Sequence, residues 1–167
     1  RVLLAAPASE IYGEGVGDLG LVAADTLVVV VDVMSKFVAP EVTGTIDDVT
    51  VTGGFGEAPT ITPRANLVVG ETQVRVLSEG TGDAVAAGDS VTINYTGVNG
   101  RTGEVFDSSF QTGQTADFVI DATNVIQGIV TGLTGQRVGS RLLLAIPYAD
   151  GYGTTGAPDA GIEGGDT

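Results

Sequence analysis

The chain has 167 residues with no Cys and no His, and 21 acidic against 7 basic side chains give a formal net charge of −14. Without these residue types there is no disulfide framework, no thiol nucleophile and no Ser-His-Asp triad. The negative charge opposes nucleic-acid phosphates and anionic membranes, and no apolar run has the length of about 20 residues that spans a bilayer. We therefore expect neither a nucleic-acid partner nor membrane insertion, and the scattered carboxylates predict no metal site.

Hydrophobic periodicity predicts a chain rich in β-strands. In chain order, the predicted strands lie at residues 27–31, 42–52, 74–77, 91–96, 117–121 and 142–146. Clean alternation, as in Val91, Ile93 and Tyr95, is typical of a half-buried strand, whereas a continuous apolar run such as 142–146 suits a strand that is buried on both faces. The dipeptide Asn99-Gly100 between two strands favours a type I′ hairpin turn.

One segment has helical spacing. Its apolar residues fall at i, i+1, i+4, i+5 and i+8, which places them on one face of a helix: Val125, Ile126, Ile129, Val130 and Leu133. Thr123 or Asn124 is predicted to be the N-cap. One short helix among antiparallel strands indicates an α+β fold.

An internal repeat divides the chain. The sequence RVLLAAPASEIYG from Arg1 matches RLLLAIPYADGYG from Arg141 at an offset of 140, and Asp25-Thr26 matches Asp166-Thr167. After Thr26 the first copy continues into a Val-rich strand, whereas the second copy stops at Thr167. We expect the sequence to be an excerpt of a tandem array, and we hypothesise that residues 27–34 fill the place of the strand missing from the second copy.

Four segments resemble one enzyme family when they are taken together and in order. They are VTINYTG (91–97), EVFDSS (104–109), FVIDATNVIQGIVTGL (118–133) and VGSRLLLAIPYADGYG (138–153). This set resembles the FKBP-type peptidyl-prolyl cis-trans isomerases, also called rotamases. The resemblance implies an α+β fold in which a curved antiparallel β-sheet wraps around one short α-helix.

The resemblance and the repeat together predict three parts. Residues 1–37 are the C-terminal portion of a first FKBP-like domain, and residues 38–63 are a connector with some strand character. Residues 64–167 are a second FKBP-like domain that lacks its final strand.

The resemblance also implies the site and its chemistry. The family rotates X-Pro peptide bonds in an apolar pocket and so assists protein folding, with proline-containing polypeptides as partners and without a cofactor. The implied catalytic residues are Asp107, near the amide, and Tyr152, which donates its hydroxyl proton to a substrate carbonyl. The Ile126 backbone N–H is the second donor. The implied substrate-binding residues are Tyr95, Phe106, Phe118, Val125, Ile126, Ile129 and Ile162.

Two departures from the family pattern leave alternatives open. Ile129 stands where the family usually has Trp, and Ala116 replaces an aromatic residue near the pocket wall. The alternatives to an isomerase are a catalytically weak module that binds proline-containing segments as a chaperone, and a structural repeat; macrolide binding is likewise left open. The tandem repeat, together with a composition that has no Cys and little Lys, suggests an exported bacterial protein of the cell envelope or outside the cell. A cytoplasmic location is the alternative.

Overall fold

The computed structural model describes residues 2–7, 10 and 25–167, which form two compact units, Arg1–Val38 and Ala39–Thr167. In the first unit, strand β1 (Val2–Pro7) pairs antiparallel with strand β2 (Thr26–Val31). Most other residues of the first repeat lie outside the described residues, and these include most of the stretch after Pro7 that matches the second repeat. The tandem arrangement stays a prediction.

The second unit is built from short strands. They are β3 (Val49–Thr52), β4 (Thr60–Pro63), β5 (Gln73–Ser78), β6 (Ser90–Ile93), β7 (Thr96–Val98), β8 (Val105–Ser108), β9 (Ala116–Val119), β10 (Arg141–Ala145), β11 (Gly156–Ala157) and β12 (Ile162–Glu163). All pairings are antiparallel and join β3 to β4, β5 to β10, β6 to β9, β7 to β8 and β11 to β12.

Two α-helices lie among these strands. Helix α1 (Ser109–Thr112) follows β8 directly, and helix α2 (Gln127–Leu133) precedes β10. The sequence predicted one helix, so α1 is an additional element, a single turn that ends at Gly113 in the left-handed conformation. Within the described residues, no helix has the length and apolar character needed to cross a bilayer.

Strand β10 is apolar on both faces, as its continuous hydrophobic run predicted. On one face, Leu143 and Ala145 join the hydrophobic core with Ile46, Val49, Leu67 and Val69. On the other face, the Leu144 side chain lies so close to α2 that a Cβ on Gly132 would come within 2.7 Å of it, and Gly128 approaches Ile146 in the same way. The two glycines therefore let the helix backbone lie directly on the sheet, which explains residues that are otherwise unfavourable in a helix.

The predicted N-cap of α2 is wrong. The helix begins two residues after Val125, with Ile126 as N-cap and no side-chain cap. Thr123 and Asn124 instead donate their backbone N–H groups to the Asp121 carboxylate, at 2.8 and 3.0 Å. Their side chains also donate to this carboxylate, Thr123 Oγ1 at 2.6 Å and Asn124 Nδ2 at 2.8 Å, so both side chains are held in the Asp121 turn and neither caps the helix.

The predicted type I′ turn at Asn99-Gly100 is also wrong, because neither residue has a positive φ. The Asn99 side chain is buried, and its Oδ1 accepts hydrogen bonds from the backbone N–H groups of Arg101 (2.8 Å) and Thr102 (3.3 Å). This bonding makes a longer loop that closes at Gly103, whose φ is +75°. Asn99 acts here through its side chain rather than through a left-handed backbone.

Residues 38–63 were expected to be a connector, and from residue 39 onward they lie in the second compact unit. Ile46 and Val49 are buried in the hydrophobic core, and Val51 and Ile61 pack against it from the β3–β4 hairpin. The Arg141 guanidinium donates hydrogen bonds to the backbone carbonyls of Gly54 and Glu57 in the hairpin turn. The segment therefore forms a layer on one face of β10.

Candidate active site

A cavity of about 780 Å³ lies within the second unit. Its walls come from all strands from β3 to β10, from α2 with the loop before it, and from the segment after β10. All nine residues predicted for the site line this cavity: Tyr95, Phe106, Asp107, Phe118, Val125, Ile126, Ile129, Tyr152 and Ile162. Residues far apart in the sequence thus share one apolar space.

Aromatic rings form two contacts at the cavity wall. Tyr95 and Phe118 are tilted by 60° with centroids 6.1 Å apart, and Phe106 meets Tyr152 edge to face at 6.3 Å. The Phe106 ring lies against the backbone of Gly97, where any Cβ would overlap it. A glycine at this position in β7 therefore allows the ring its place over the strand.

Tyr95 and Asp107 are linked across neighbouring strands. The Tyr95 hydroxyl donates a hydrogen bond to the Asp107 carboxylate. Two buried serines fix the backbone around this pair: Ser109 Oγ accepts from the Tyr95 N–H at 2.9 Å, and Ser108 Oγ lies 2.9 Å from Thr96 Oγ1. The carboxylate is thereby held at the cavity by a phenol rather than by a cation.

We predict that Tyr95 ionises only near pH 12. Its hydrogen bond to Asp107, together with burial and the Asp107 charge, raises the pKa of Tyr95 from 10.0 to about 12. Because the folded-state pKa is the higher one, this stabilisation is complete below pH 10 and is lost as the pH rises towards 12. An NMR titration of labelled tyrosine rings should show the Tyr95 pKa falling back in Asp107→Asn. The Tyr95 pKa should not change in Asp117→Asn, because the Asp117 carboxylate accepts a hydrogen bond from Thr92 and not from Tyr95.

Two hydrogen-bond donors at the cavity have no acceptor in the part of the chain that the structure describes. The Tyr152 hydroxyl makes no hydrogen bond there, and burial followed by the Asp107 charge raises the pKa of this phenol. The Ile126 backbone N–H, at the N-cap of α2, also donates to no residue among those described. Both donors remain available to a bound carbonyl group.

A latch of polar residues, which sequence reasoning missed, holds the segment after β10 over the cavity. The Asp166 side chain is 6% exposed and accepts from Arg101 Nε (2.7 Å), Asn99 Nδ2 (2.7 Å) and the Glu163 N–H (2.9 Å). Arg101 also forms a 3.1 Å ion pair with Glu163. This Asp166 latch fixes the neighbouring Ile162, which is 5% exposed. The recurrence of Asp25 in the first repeat was the sequence signal for it.

Other lining residues were also missed. Phe110 in α1 and Phe55 in the β3–β4 turn border the same cavity, whereas Ala116 does not line it. Among the described residues, no group of three or more carboxylates could hold a metal ion.

Comparison with known proteins gives consistent matches. A model of the family described as FKBP-type peptidyl-prolyl cis-trans isomerase matches residues 82–167. An FK506-binding protein of Streptomyces anulatus is 38% identical over 94 residues, which are 56% of this chain and 76% of that protein. FK506-binding protein 1 of Debaryomyces hansenii is 43% identical over 88 residues, which are 52% of this chain and 78% of that protein.

A solved structure agrees with these sequences. The crystal structure of a peptidyl-prolyl cis-trans isomerase from Pseudomonas syringae pv. tomato superposes with a TM-score of 0.50 at 30% identity. The match covers 57% of this chain and 66% of that one.

Proposed function

Because the chain belongs to the FKBP-type peptidyl-prolyl cis-trans isomerase family, we propose that its cavity binds a proline side chain and accelerates rotation about the peptide bond before it. The family and the α+β fold class predicted from the sequence are confirmed by these matches. The chain is a peptidyl-prolyl cis-trans isomerase, and its substrates are proline-containing polypeptides.

The reaction explains why the chain needs neither His nor Cys. Rotation about an X-Pro bond breaks no covalent bond, but it must disrupt amide resonance against a barrier of about 20 kcal/mol. The twisted amide is less polar than the planar one, so an apolar wall favours it over the ground state. Phe106, Phe118 and Ile129 supply such a wall here.

The observation that carries the proposal is the pair of donors beside this wall, the Tyr152 hydroxyl and the Ile126 N–H, that have no acceptor among the residues the structure describes. Tyr152 can donate its hydroxyl proton to a substrate carbonyl, and the Ile126 N–H can hold a second carbonyl, which fixes the chain on both sides of the proline. Asp107 would lie next to the amide, oriented by its hydrogen bond from the Tyr95 hydroxyl. A positioned carboxylate can respond to the charge redistribution that accompanies the twist.

We expect Tyr152→Phe and Asp107→Ala each to lower kcat/KM by about tenfold, the effect of one hydrogen bond of about 1.4 kcal/mol at the transition state. The measurement is a protease-coupled assay with a proline peptide. The matched controls are Tyr148→Phe and Asp117→Ala, both outside the cavity lining, which should retain full activity. A wild-type rate equal to the uncatalysed one, unchanged in both site variants, would contradict the isomerase role of this cavity.

A second candidate function is binding of proline-containing segments with little catalysis. It is favoured by Ile129, which offers less surface to a proline ring than an aromatic residue would. Peptide binding without rate acceleration, measured by calorimetry on the same chain, would support it. The names of the Streptomyces and Debaryomyces relatives lead us to propose FK506 binding as well, which competition in the same assay tests.

A further inference from the structure

Ile162 lies on a small hairpin at the cavity. Its two strands, β11 and β12, pair Gly156 with Glu163 and Ala157 with Ile162, and the ladder ends there. The Ile162 side chain is buried and lines the cavity, whereas Glu163 is exposed. Because so short a ladder is marginally stable by itself, the position of Ile162 depends on what else holds the hairpin.

The Asp166 latch joins this hairpin to the loop between β7 and β8. Asp166 Oδ1 accepts from Arg101 Nε at 2.7 Å, and Asp166 Oδ2 accepts from Arg101 Nη2 at 3.1 Å, so the carboxylate and the guanidinium meet at two points. The same Oδ2 accepts from the N–H of Glu163, the residue directly after Ile162. A two-point ionic contact of this kind fixes orientation as well as distance.

Asn99 holds the residue on the other side of Ile162. Its Nδ2 donates to the Gly161 carbonyl at 3.2 Å and to Asp166 Oδ2 at 2.7 Å. Its Oδ1 accepts from two backbone N–H groups of its own loop, so this buried amide is fully bonded and cannot turn away from the hairpin. The backbone is therefore tied at both neighbours of Ile162, namely Gly161 and Glu163.

The two elements that the latch joins carry different parts of the site. Strand β8 carries Phe106 and Asp107, and the segment after β10 carries Tyr152 and Ile162. Tyr152 has support of its own, because its ring meets Phe106 edge to face and its carbonyl accepts from the Gly156 N–H at 3.1 Å. Loss of the latch should therefore release Ile162 and leave the Tyr152 hydroxyl in place.

We propose that Asp166 is a positioning residue for substrate binding, which acts by holding the Ile162 side chain against the bound proline segment. The proposal rests on the isomerase function proposed for the cavity. Ile162 offers apolar contact and neither charge nor a proton, so it should stabilise the ground state and the transition state of the peptide equally. Removal of such a contact raises KM and leaves kcat unchanged.

The first test is steady-state kinetics of the full chain with a proline peptide, in a protease-free assay at a temperature at which circular dichroism shows each variant folded. We expect Asp166→Ala to raise KM at least about fivefold, with kcat within about twofold of the wild-type value. Mere destabilisation would instead lower the folded fraction, and with it the apparent kcat, at an unchanged KM.

Two further variants complete this test. Asp159→Ala, at an exposed position outside the cavity lining, is the matched control and should keep both constants. Asp166→Asn keeps one acceptor oxygen and is the milder variant if Asp166→Ala does not fold at the assay temperature. It should raise KM by at least about threefold.

A double-mutant cycle separates action through Ile162 from direct contact with the peptide, because Asp166 also borders the cavity. Ile162→Ala alone should raise KM at least about fivefold, and adding Asp166→Ala should raise it less than about twofold more. Calorimetry with the same peptide should show the same pattern in Kd.

The outcomes distinguish this role from the isomerase function itself. An unchanged KM in Asp166→Ala or Asp166→Asn, a fall in kcat alone, or independent effects in the double variant would each overturn the positioning role. Wild-type turnover in the same assay would leave the isomerase function of the cavity intact. A wild-type chain that neither binds nor isomerises the peptide would overturn both.

Discussion

Leu143→Ala is expected to lower the free energy of unfolding by about 2–5 kcal/mol, the usual cost of emptying a leucine site in a packed core. Leu143 is 7% exposed and contacts the cluster that includes Ile46, Val49 and Leu67. The loss should be large because β10 joins the layer formed by residues 39–63 to the rest of the unit. Urea unfolding monitored by circular dichroism measures the change.

Val105→Ala is the matched control. Val105 lies in β8, is 48% exposed and is outside the core cluster, so its truncation should cost less than about 1 kcal/mol. Equal losses in the two variants would contradict the assignment of Leu143 to the main core. They would also show that the layer formed by residues 39–63 adds little to stability.

Asp166→Ala is expected to cost about 2–3 kcal/mol, because it leaves the Asn99 amide and the Arg101 guanidinium without their shared acceptor. Burial raises the pKa of Asp166, but hydrogen bonds from Arg101, Asn99 and the Glu163 N–H outweigh it and hold the pKa below 3.8. A lowered folded-state pKa means that this stability is present above about pH 4 and is lost as the pH falls through the folded-state value.

The pH dependence of the free energy of unfolding distinguishes the contribution of the Asp166 latch from that of the other carboxyl groups. The wild-type protein should lose stability below pH 4 partly because the Asp166 carboxyl becomes protonated. Asp166→Asn should lack this part of the loss. Urea unfolding at a series of pH values measures the difference. Asp159→Asn, at an exposed position in the adjacent 3-10 helix of residues 158–160, is the matched control and should keep the wild-type profile. A wild-type acid profile in Asp166→Asn would mean that the latch does not control acid stability.

Much of the fold could be predicted because local pattern determines it. Alternation located β6 and β9, and the continuous apolar run located β10 with its two buried faces. The start of α2 was missed because the side chains of Thr123 and Asn124 bond to Asp121 in a turn instead of capping the helix. Such competition between neighbouring polar groups leaves no trace in hydrophobic periodicity.

The site was predictable through family resemblance, whereas its supports were not. The nine predicted residues share one cavity, but the latch joins Asn99 to Asp166 across 67 positions of sequence. No local spacing links those two residues. The Phe106 ring over Gly97 is similarly a contact between strands, which depends on register and therefore on the folded sheet.

The close approach of α2 to β10 has a consequence for the order of folding. A seven-residue helix that contains Gly128 and Gly132 is too short and too rich in glycine to persist alone in water. It can therefore form only when β10 is present to cover it. Partly folded chains would lack Ile126 and Ile129 in their final positions, so this part of the cavity lining is completed only once β10 has packed against α2.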